Sequence, residues 1–437
     1  MRSLLSTKEQ RQLRLLEILI QKRDWIRLNE LAQTLECTER ILKNDLNELR
    51  TAFPTFKIQS SINGIMLNLD TAASIEDIYI YFLSHSQSFQ LLEYMFFNEG
   101  LPIYRTVEKL HSSNANLYRL GNRITTILSK QFQIELSFTP TSLNGNEIDI
   151  RYFYAQYFSE RYYFLDWPFP DISEKVITEF ADYFYKSTNY PMRFAIYRMY
   201  KLMLAISIHR VKNGHFIDLP NHFYQDYYPV LMNLPDFEDK LAYFSQQFGL
   251  EMTPDIVAQI FISFLQNDIF LDPQQFFDSL NKNDESRYSY QLLSQILERL
   301  SKAFNIKFAN HDELIWHLHN TAYFERQETF STPLLFEQKG ITLEKFKVYF
   351  PDFMESARQE LAQYRQAIGQ HDYPEQLEHL IYTLFTHAEN ITTQLLANRP
   401  PIKVLIISNF DHALSLTLMD MLSYYCNNRF TFDTWDE

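Results

Sequence analysis

Apolar residues recur every three or four positions through most of this chain, the spacing that buries one face of an α-helix. The pattern is sharpest in Trp25–Phe53. There Leu28–Leu35 predicts a short helix, and Thr38 stands where an N-cap hydroxyl would begin the next one. The second helix carries an apolar stripe at Leu42, Leu46, Leu49 and Phe53. We therefore expect two consecutive helices that each bury one side.

The opposite side of the second helix is polar and rich in hydrogen-bond donors. Together with Thr38 at the helix start, it presents Arg40, Lys43, Asn44, Asn47 and Arg50. Side chains of these types reach phosphates and base edges when a helix lies in the major groove of DNA. A solvated, charged helix face is the alternative, and this segment alone leaves it open.

The flanking segments complete a familiar arrangement. Lys8–Arg23 has the apolar period of another helix. After Pro54, the sequence FKIQSSINGIMLNL consists of two strand-like runs joined at Asn63-Gly64, a strong signal for a β-hairpin. Three helices followed by a hairpin predict a winged helix-turn-helix domain over residues 1–71.

The same order of elements recurs over residues 72–151. The pattern predicts a long helix, a short helix, a third helix and two strands around Asn144-Gly145. These segments are Ile75–Asn98, Leu101–Leu110, Asn116–Gln131, Phe132–Phe138 and Glu147–Phe153. They predict a second winged helix-turn-helix domain.

The exposed face of that third helix is again polar and basic. It carries Asn116, Tyr118, Arg119, Asn122, Arg123, Thr126 and Lys130. Residues 101–134 contain five basic residues and one acidic residue. Two tandem winged helices with donor-rich helices favour double-stranded DNA as a partner over a purely structural role.

Residues 152–398 have helical patterns and contain an internal repeat. LAISIH at residues 204–209 matches LIWHLH at residues 314–319, and Pro235-Asp236-Phe237 matches Pro351-Asp352-Phe353. The offset grows only across loops, as expected of a duplicated domain. We predict two helical bundles, over residues 152–283 and 284–398.

The last segment follows a linker signal at Asn398-Arg399-Pro400-Pro401. KVLIISNF predicts a buried strand, Ala413–Tyr425 a helix and RFTFDTW a second strand. This is the start of an α/β domain over residues 401–437. A parallel sheet normally has more strands, so we expect this domain to be incomplete.

Composition supports a mainly α fold. The 437 residues include only 8 glycines, too few for the turns of a strand-rich protein. The net charge is −14, yet residues 1–150 hold 16 basic and 17 acidic residues, so the acidic excess lies beyond them. Cys37 and Cys426 have no ligand spacing, and the sequence shows neither a signal peptide nor an apolar run of about 18 residues. These features indicate a cytoplasmic protein without a membrane span.

Three histidines occupy corresponding places in the repeat. His209 and His319 end matched segments, and His387 falls where the first copy has Asn267. An imidazole accepts a phosphoryl group on one ring nitrogen when the other is held by a hydrogen bond. The added charge can open or close an interface. The three are candidate phosphorylation sites, with ordinary half-buried histidines as the alternative.

The sequence gives little support for an enzyme. His311-Asp312 and His371-Asp372 suggest a metal phosphohydrolase, but no spacing brings further ligands together. The sequence contains no Gly-rich phosphate loop and no GxSxG, HExxH or CxxC motif. We expect no catalytic residues, no metal site and no cofactor.

The order of these domains resembles the Mga/anthrax-toxin-activator family of transcription regulators. The resemblance is clearest in LNELAQTLECTERILKNDLNELRTAF, in NANLYRLGNRITTILSKQF and from YRMYKLMLAISIHRVKNGHF onward, and it covers essentially the whole chain. Members combine two helix-turn-helix domains, two phosphotransferase-system regulatory domains (PRDs) and an enzyme-IIB-like domain. The resemblance implies a virulence or carbohydrate-responsive regulator of a low-GC Gram-positive bacterium.

The resemblance further implies a homodimeric, site-specific DNA-binding activator that the phosphocarrier protein of the sugar phosphotransferase system phosphorylates. His209 corresponds to the acceptor of the first PRD, and His387 to that of the second, with His319 as a competitor. Asn267 stands where a second acceptor of the first PRD would lie. Ser408-Asn409-Phe410 replaces the cysteine of a phosphorylatable enzyme IIB, so the resemblance implies a structural or dimerising terminal domain.

Two other functions stay open on the sequence. A PRD-containing RNA-binding antiterminator is disfavoured because such proteins begin with a small β-rich module, which this amino terminus does not resemble. A phosphorylation-responsive scaffold without nucleic-acid binding predicts no salt-sensitive binding to DNA.

Overall fold

The computed structural model of the chain is mainly helical and forms two compact units. The first holds residues 1–266 together with Leu334 and Leu335, and the second holds residues 267–326 and 338–437. The structure describes residues 1–70, 73–163, 166–185, 194–218, 232, 234–261, 270, 273–324, 334–335, 338–370, 374–400, 402–407, 412–426 and 430–434. The domain boundaries predicted from the sequence divide these units further and stay predictions.

The first unit begins with three helices and a hairpin, as the sequence predicts. A 3-10 helix at Arg2–Leu4 precedes them. The elements are α1 (Thr7–Lys22), α2 (Leu28–Thr34), α3 (Glu39–Ala52), β1 (Phe56–Ser61) and β2 (Gly64–Leu69). The two strands are antiparallel.

Helix α3 begins and packs where its sequence places it. The Thr38 hydroxyl accepts a hydrogen bond from the amide of Ile41 at 3.3 Å, which confirms Thr38 as the N-cap. The whole predicted apolar stripe is buried: Leu42, Leu46, Leu49 and Phe53. Each such side chain stabilises the packed helix by about 1.5–3 kcal/mol.

The first hairpin turns one residue earlier than Asn63-Gly64. Ser61 pairs with Gly64, so the loop is the two residues between them. Gly64 has a φ of +124°, and a Cβ there would lie 2.0 Å from the carbonyl oxygen of Ile26. Ile26 pairs with Ile65 as a one-residue third strand. This close backbone approach is what requires glycine.

A second set of helices follows, but it starts with two helices where one was predicted. The helices are α4 (Glu76–His85), α5 (Gln87–Phe97), α6 (Ile103–Lys109) and α7 (Asn114–Gln131). The single helix predicted over Ile75–Asn98 is therefore wrong. Ser86 is extended, at φ −68° and ψ 128°, and its hydroxyl donates to the Glu9 carboxylate of α1 at 3.3 Å. That partner lies 77 residues away, beyond the reach of a local pattern.

The second hairpin also lies earlier than predicted. Strands β3 (Glu135–Phe138) and β4 (Thr141–Asn144) are antiparallel. The strand predicted at Glu147–Phe153 is wrong, because these residues begin helix α8 (Glu147–Tyr162). The Asn146 side chain caps that helix, accepting from the amide of Ile148 at 2.9 Å. Helix α8 is buried on several sides, so its apolar residues lack the one-sided period that marks an exposed helix.

Helix α8 runs through the core of the first unit. It packs against α4 and against α10 (Phe194–Lys212). The other helices of this unit among the described residues are α9 (Glu174–Tyr185), α11 (Phe237–Phe248) and α12 (Pro254–Phe261). Aromatic rings fill much of this core, in agreement with the aromatic content of the sequence.

The second unit contains seven described helices and a βαβ segment. The helices are α13 (Pro273–Ser279), α14 (Asp284–Phe304), α15 (His311–Phe324), α16 (Gln338–Tyr349), α17 (Pro351–Ala367), α18 (Pro374–His387) and α19 (Ile391–Ala397). The βαβ segment consists of β5 (Ile402–Ile406), α20 (His412–Tyr425) and β6 (Phe430–Thr434). Strands β5 and β6 are parallel, which confirms the predicted βαβ order. The predicted burial of β5 is wrong, because most of this strand is exposed. The enzyme-IIB-like character of the segment stays a prediction.

The helices of the two predicted bundles follow the repeat. LAISIH lies in α10 and LIWHLH in α15, while Phe237 and Pro351 begin α11 and α17. Pro254 and Pro374 begin α12 and α18. The division into two duplicated bundles stays a prediction. Within the described residues, every helix is too short or too polar to cross a membrane.

Candidate nucleic-acid interface and regulatory histidines

Helix α3 presents its predicted polar face to solvent. The exposed residues include Thr38, Arg40, Lys43, Asn44 and Asn47. Lys43 lies 4.0 Å from the Glu39 carboxylate one turn earlier. Among the described residues, no hydrogen bond or ion pair engages the side chains of Arg40 and Asn44. These two donors are therefore available to an external partner.

Arg50, at the end of the same face, binds the hairpin. Its Nε donates to the carbonyl of Ile58 at 3.0 Å, and its Nη1 donates to the Asn47 side chain at 3.1 Å. Its Nη2 donates to the hydroxyl of Ser60. Arg50 thereby fixes β1 beside α3 and positions the hairpin relative to the exposed face.

Two acidic residues of α3 are neutralised by α1. Asp45 is buried and accepts from Arg11 Nε at 2.6 Å, while Lys8 lies 2.6 Å from Glu48. Gln12 donates to both carboxylates. The hydrogen bond to Asp45 raises the pKa of Arg11, and the hydrogen bonds from Lys8 and Gln12 lower the pKa of Glu48. The sequence pattern missed this network, although an acid inside the apolar stripe was a signal for it.

Helix α7 is exposed along most of its predicted face. The exposed residues include Tyr118, Arg119, Asn122, Thr126 and Lys130. Asn116 is half-buried, and its amide donates to the Ser112 hydroxyl at 2.9 Å. The Tyr118 ring meets Phe138 of β3 edge-on, with centroids 5.2 Å apart. The hairpin therefore sits against the start of α7.

Arg123 of α7 is held by contacts within the first unit. Its Nη2 donates to the carbonyl of Leu4 and to the hydroxyl of Ser88, both at 2.7 Å. Asn116 and Arg119 also border a cavity of about 350 Å³ between α7 and residues of α1 and α5. Among the described residues, the donors of α7 that remain unengaged include Arg119, Asn122 and Lys130.

His209 lies against the end of α5. Its Nε2 is 3.0 Å from the carbonyl oxygen of Phe96. The side-chain nitrogen of Asn213 also lies 3.2 Å from Nε2. The Phe96 carbonyl is nearer and only accepts, so we assign the proton to Nε2 and the lone pair of the neutral ring to Nδ1. The ring stacks on Phe96 with centroids 4.5 Å apart. Burial lowers the pKa of His209, outweighing the hydrogen bond to Phe96, so the neutral ring is favoured.

A buried ionic network lies beside His209. Arg210 Nη1 is 2.7 Å from Glu99, and its Nη2 is 2.7 Å from Glu147. Arg151 pairs with Glu147 at 2.9 Å, and His215 pairs with Glu99 at 2.8 Å. Burial alone would raise the pKa of Glu99, but His215 and Arg210 outweigh it and lower that pKa. The network joins the end of α5 and the start of α8 to α10.

His319 is fully buried in the second unit. Its Nδ1 lies 2.8 Å from the Ser289 hydroxyl, and its ring stacks on Tyr323 with centroids 4.2 Å apart. The ring of Phe276 lies 4.7 Å away, centroid to centroid. A phosphocarrier reaches this imidazole only after the surrounding helices move.

His387 is the last residue of α18 and is half-buried. Its Nδ1 is 3.2 Å from the carbonyl oxygen of Thr383, which places the lone pair of the neutral ring on Nε2. Its ring centroid lies 4.0 Å from that of His317 on α15. His317 in turn is 3.6 Å from the Glu313 carboxylate. The sequence did not single out His317, because its partner is 70 residues away.

The residues considered for metal chemistry do not assemble a site in the described part of the chain. His311 Nδ1 pairs with Asp312 at 3.0 Å, and no group of three or more His, Cys, Asp or Glu side chains there is arranged around a metal position. His371-Asp372, Asn267 and Ser408-Asn409-Phe410 lie outside the described residues.

Comparison with known protein families matches three consecutive stretches. Residues 6–65 match the M protein trans-acting positive regulator (MGA) HTH domain, and residues 71–158 match the Mga helix-turn-helix domain. Residues 173–391 match the M protein trans-acting positive regulator (MGA) PRD domain. A provisionally named trans-acting regulator of Streptococcus pneumoniae serotype 4 is 39% identical over 438 residues, covering 100% of this chain and 89% of that protein. The chain belongs to the Mga family.

More distant relatives of this Mga-family chain occur in Bacillus anthracis. The capsule synthesis positive regulator AcpB is 21% identical over 376 residues, covering 81% of this chain and 76% of that protein. The anthrax toxin expression trans-acting positive regulator is 25% identical over 215 residues, covering 48% of this chain and 44% of that protein. The chain is thus a transcriptional regulator with Mga-type helix-turn-helix and PRD domains.

Proposed function

We propose that this Mga-family chain binds specific sites on double-stranded DNA and activates transcription there. In this proposal α2 and α3 form a helix-turn-helix, α3 lies in the major groove, and the hairpin of β1 and β2 is the wing. The observation that carries the proposal is the exposed face of α3, where Arg40 and Asn44 have no partner among the described residues. Arginine reads guanine and asparagine reads adenine through paired hydrogen bonds.

A second winged helix-turn-helix would consist of α6, α7, β3 and β4. Its exposed donors Arg119, Asn122 and Lys130 are suited to phosphates and base edges. Arg123 would position α7 rather than read bases, since Leu4 and Ser88 hold its guanidinium. The two modules of one chain would then contact adjacent parts of an extended operator.

Replacing Lys43 with alanine is expected to weaken DNA binding equally at all sequences. An exposed ammonium on the edge of α3 contacts phosphate, and each phosphate contact contributes about one unit to the slope of log K against log salt. Gel-shift titrations between about 50 and 200 mM salt, on operator and scrambled duplexes, should show a slope smaller by about 1.

Lys175→Ala is the matched control for Lys43→Ala. Lys175 is also an exposed helical lysine of the first unit that faces a glutamate one turn away, but it lies on α9. Its variant should keep the wild-type slope. If Lys43→Ala keeps it too, α3 does not face the DNA backbone. A preference for hairpin RNA over duplex DNA in the same titrations would favour an antiterminator.

We further propose that the phosphocarrier protein of the phosphotransferase system phosphorylates His209 on Nδ1 and His387 on Nε2. In each ring a backbone carbonyl holds the other nitrogen, which orients the imidazole for attack on the incoming phosphoryl group. His319 is the weaker candidate because it is fully buried.

Phosphorylation of His209 would separate α10 from α5. Phe96 and Phe97 end α5, so the phosphoryl group, with a charge of about −1.5 to −2, would lie at the negative end of that helix. It would also disturb the stacking of the His209 ring on Phe96. Because α5 contacts α7, a change at the His209–Phe96 contact would reach the helices around α7, which supports His209 as a switch.

A radiolabelled phosphocarrier should transfer less label to His209→Ala and to His387→Ala than to the wild type. It should transfer none to the double variant. His319→Ala should keep the label. In cells, Asp and Ala at His209 or His387 should give different promoter activities, because only Asp supplies a negative charge. Phosphoamide mapping and a promoter–reporter fusion measure the two effects.

His85→Ala serves as the control in both assays, since His85 is an exposed histidine of α4 that stacks on Tyr81. Label that survives in the double variant would place the acceptors elsewhere. Equal reporter output from wild type, Asp and Ala would remove the switch.

We also propose a homodimer in which the βαβ segment takes part. Many of its large apolar side chains are exposed: Ile402, Leu405, Ile407, Leu414, Leu416, Leu418, Met421, Leu422, Tyr424 and Tyr425. An apolar patch of this extent usually marks an interaction surface. Light scattering should give about twice the 52.4 kDa of one chain, and a mass of one chain would contradict the dimer.

A further inference from the structure

Leu334 and Leu335, which lie between α15 and α16 in the sequence, are buried. Both helices belong to the second unit, but Leu334 and Leu335 pack into the apolar core of the first. The exposed fraction is 0% for Leu334 and 1% for Leu335. Connections between helices normally run over the surface, so this degree of burial indicates a dedicated contact.

Polar groups of the first unit hold the backbone of these leucines. The two carboxylate oxygens of Glu160 accept from the amides of Leu334 and Leu335, at 2.6 and 2.9 Å. Arg2 Nη2 donates to the carbonyl oxygen of Leu335 at 3.1 Å. Burial of the side chains and pairing of the backbone therefore act together at one place.

The groups that receive the leucines come from several elements. Arg2 belongs to the 3-10 helix and forms a paired salt bridge with Glu17 of α1, at 2.6 and 2.7 Å. The hydroxyl of Tyr79 on α4 donates to Glu17 at 2.8 Å, and burial followed by the Glu17 charge raises the pKa of Tyr79 so that it stays a donor. Glu160 lies on α8. We name Arg2, Glu17, Tyr79 and Glu160 the seat.

We propose that Leu334-Leu335 is a latch that occupies the seat and fixes helices α1–α3 relative to helices α4–α8. The seat joins α1 to α4 and α8. When the leucines occupy the seat, the two candidate DNA-binding helices, α3 and α7, are therefore held in fixed positions before DNA binds. The expected effect on DNA rests on the proposed function; the docking itself does not.

The latch is covalently close to the histidines of the second unit. Helix α15 carries His317 and ends at Phe324, ten residues before Leu334, and α16 begins at Gln338, three residues after Leu335. Helix α16 packs against α18, which ends at His387. The latch is therefore adjacent in sequence to a helix that carries His317 and to a helix that packs against the one ending at His387.

Hydrogen exchange on the full chain tests the docking. The amides of Leu334 and Leu335 should exchange slowly in the wild type, and at least about ten times faster in Glu160→Ala, which removes their acceptors and no apolar group. Glu179→Ala is the control, because Glu179 is a half-exposed carboxylate on α9 that binds Tyr243. Leu334→Ala/Leu335→Ala should also speed exchange in α4 and α8.

Several results would overturn the latch. Rapid exchange of both amides in the wild type would show that the leucines do not occupy the seat. Unchanged exchange in Glu160→Ala would show that Glu160 does not hold their amides. Protection that disappears on dilution would assign the occupant to a second copy of the chain instead.

Gel shifts with the same variants test the coupling to DNA. Glu160→Ala and Leu334→Ala/Leu335→Ala should bind operator about ten times more weakly, with Glu179→Ala unchanged. Unchanged affinity in the first two would overturn the coupling. If the wild type binds no DNA, the proposed function fails while the exchange result still decides the docking.

Discussion

Replacing Arg210 with glutamine is expected to lower the free energy of unfolding of the first unit by about 3–5 kcal/mol. Only 1% of this side chain is exposed, and its guanidinium lies 2.7 Å from both Glu99 and Glu147. Glutamine cannot neutralise either carboxylate. Arg151 and His215 remain as partners, but each contacts only one of the two acids. The loss therefore resembles that of a buried ion pair broken on one side.

The difference in unfolding free energy between the wild type and Arg210→Gln should become smaller as the pH falls. The pKa of Glu99 is lowered in the folded wild type, so this carboxylate stabilises the fold above about pH 4.5, and that contribution is lost as the pH drops through the lowered pKa. Without Arg210 the pKa of Glu99 rises, and protonation removes the unpaired charge at a higher pH. Wild type and variant should therefore differ more at neutral pH than in acid.

Hydrogen exchange of peptides from α8 and α10 measures this effect in the unit that carries it, which a global melting curve of two units does not. Arg105→Gln is the control, because Arg105 is an exposed arginine of the same unit in a 3.6 Å surface pair with Glu108. Such pairs contribute about 0–1 kcal/mol. Equal exchange in the two variants would show that the buried network is not what holds α10 to α5 and α8.

Replacing Arg40 and Asn44 together with alanine is expected to abolish sequence preference and to weaken operator binding by about 2–6 kcal/mol. A paired hydrogen bond to a base is worth about 1–3 kcal/mol of discrimination, and these two side chains lie one turn apart on the exposed face of α3. Binding to scrambled duplex should fall far less. Gel shifts on both duplexes, at one stated salt concentration, separate the two effects.

Arg14→Ala/Gln21→Ala is the control for that double variant. Both residues are exposed on α1, and the pair removes the same kinds of groups from a face that the proposal keeps away from DNA. Its affinity should match the wild type. A control that lost as much affinity as Arg40→Ala/Asn44→Ala would mean that α3 reads no bases.

Local chemistry predicted the first helix set well. The Thr38 cap and the stripe of Leu42, Leu46 and Leu49 are interactions within a few residues, so the sequence alone specifies them. The first hairpin was predicted for the same reason. Its turn was misplaced by one residue because the backbone of Ile26, far upstream, decides where Gly64 must lie.

Distant contacts explain what the sequence could not predict. Ser86 interrupts a helical pattern through its bond to Glu9, and Glu147 begins a helix whose many buried sides hide its period. The candidate site follows the same rule. The exposed donors of α3 were predictable from spacing, whereas the stacking of His209 on Phe96, 113 residues away, depends on tertiary packing alone.

The bond from Arg123 to the carbonyl of Leu4 bears on how such regulators diverge. In the proposed DNA complex, mutations on the outer side of α3 would change target choice without loosening the packing of the first unit, since Arg40 and Asn44 make no hydrogen bond or ion pair within the described chain. A change at Arg123 would instead disturb the junction between the amino terminus and α7. Under that proposal, new targets would evolve more freely through α3, because α7 also holds the amino terminus through Arg123.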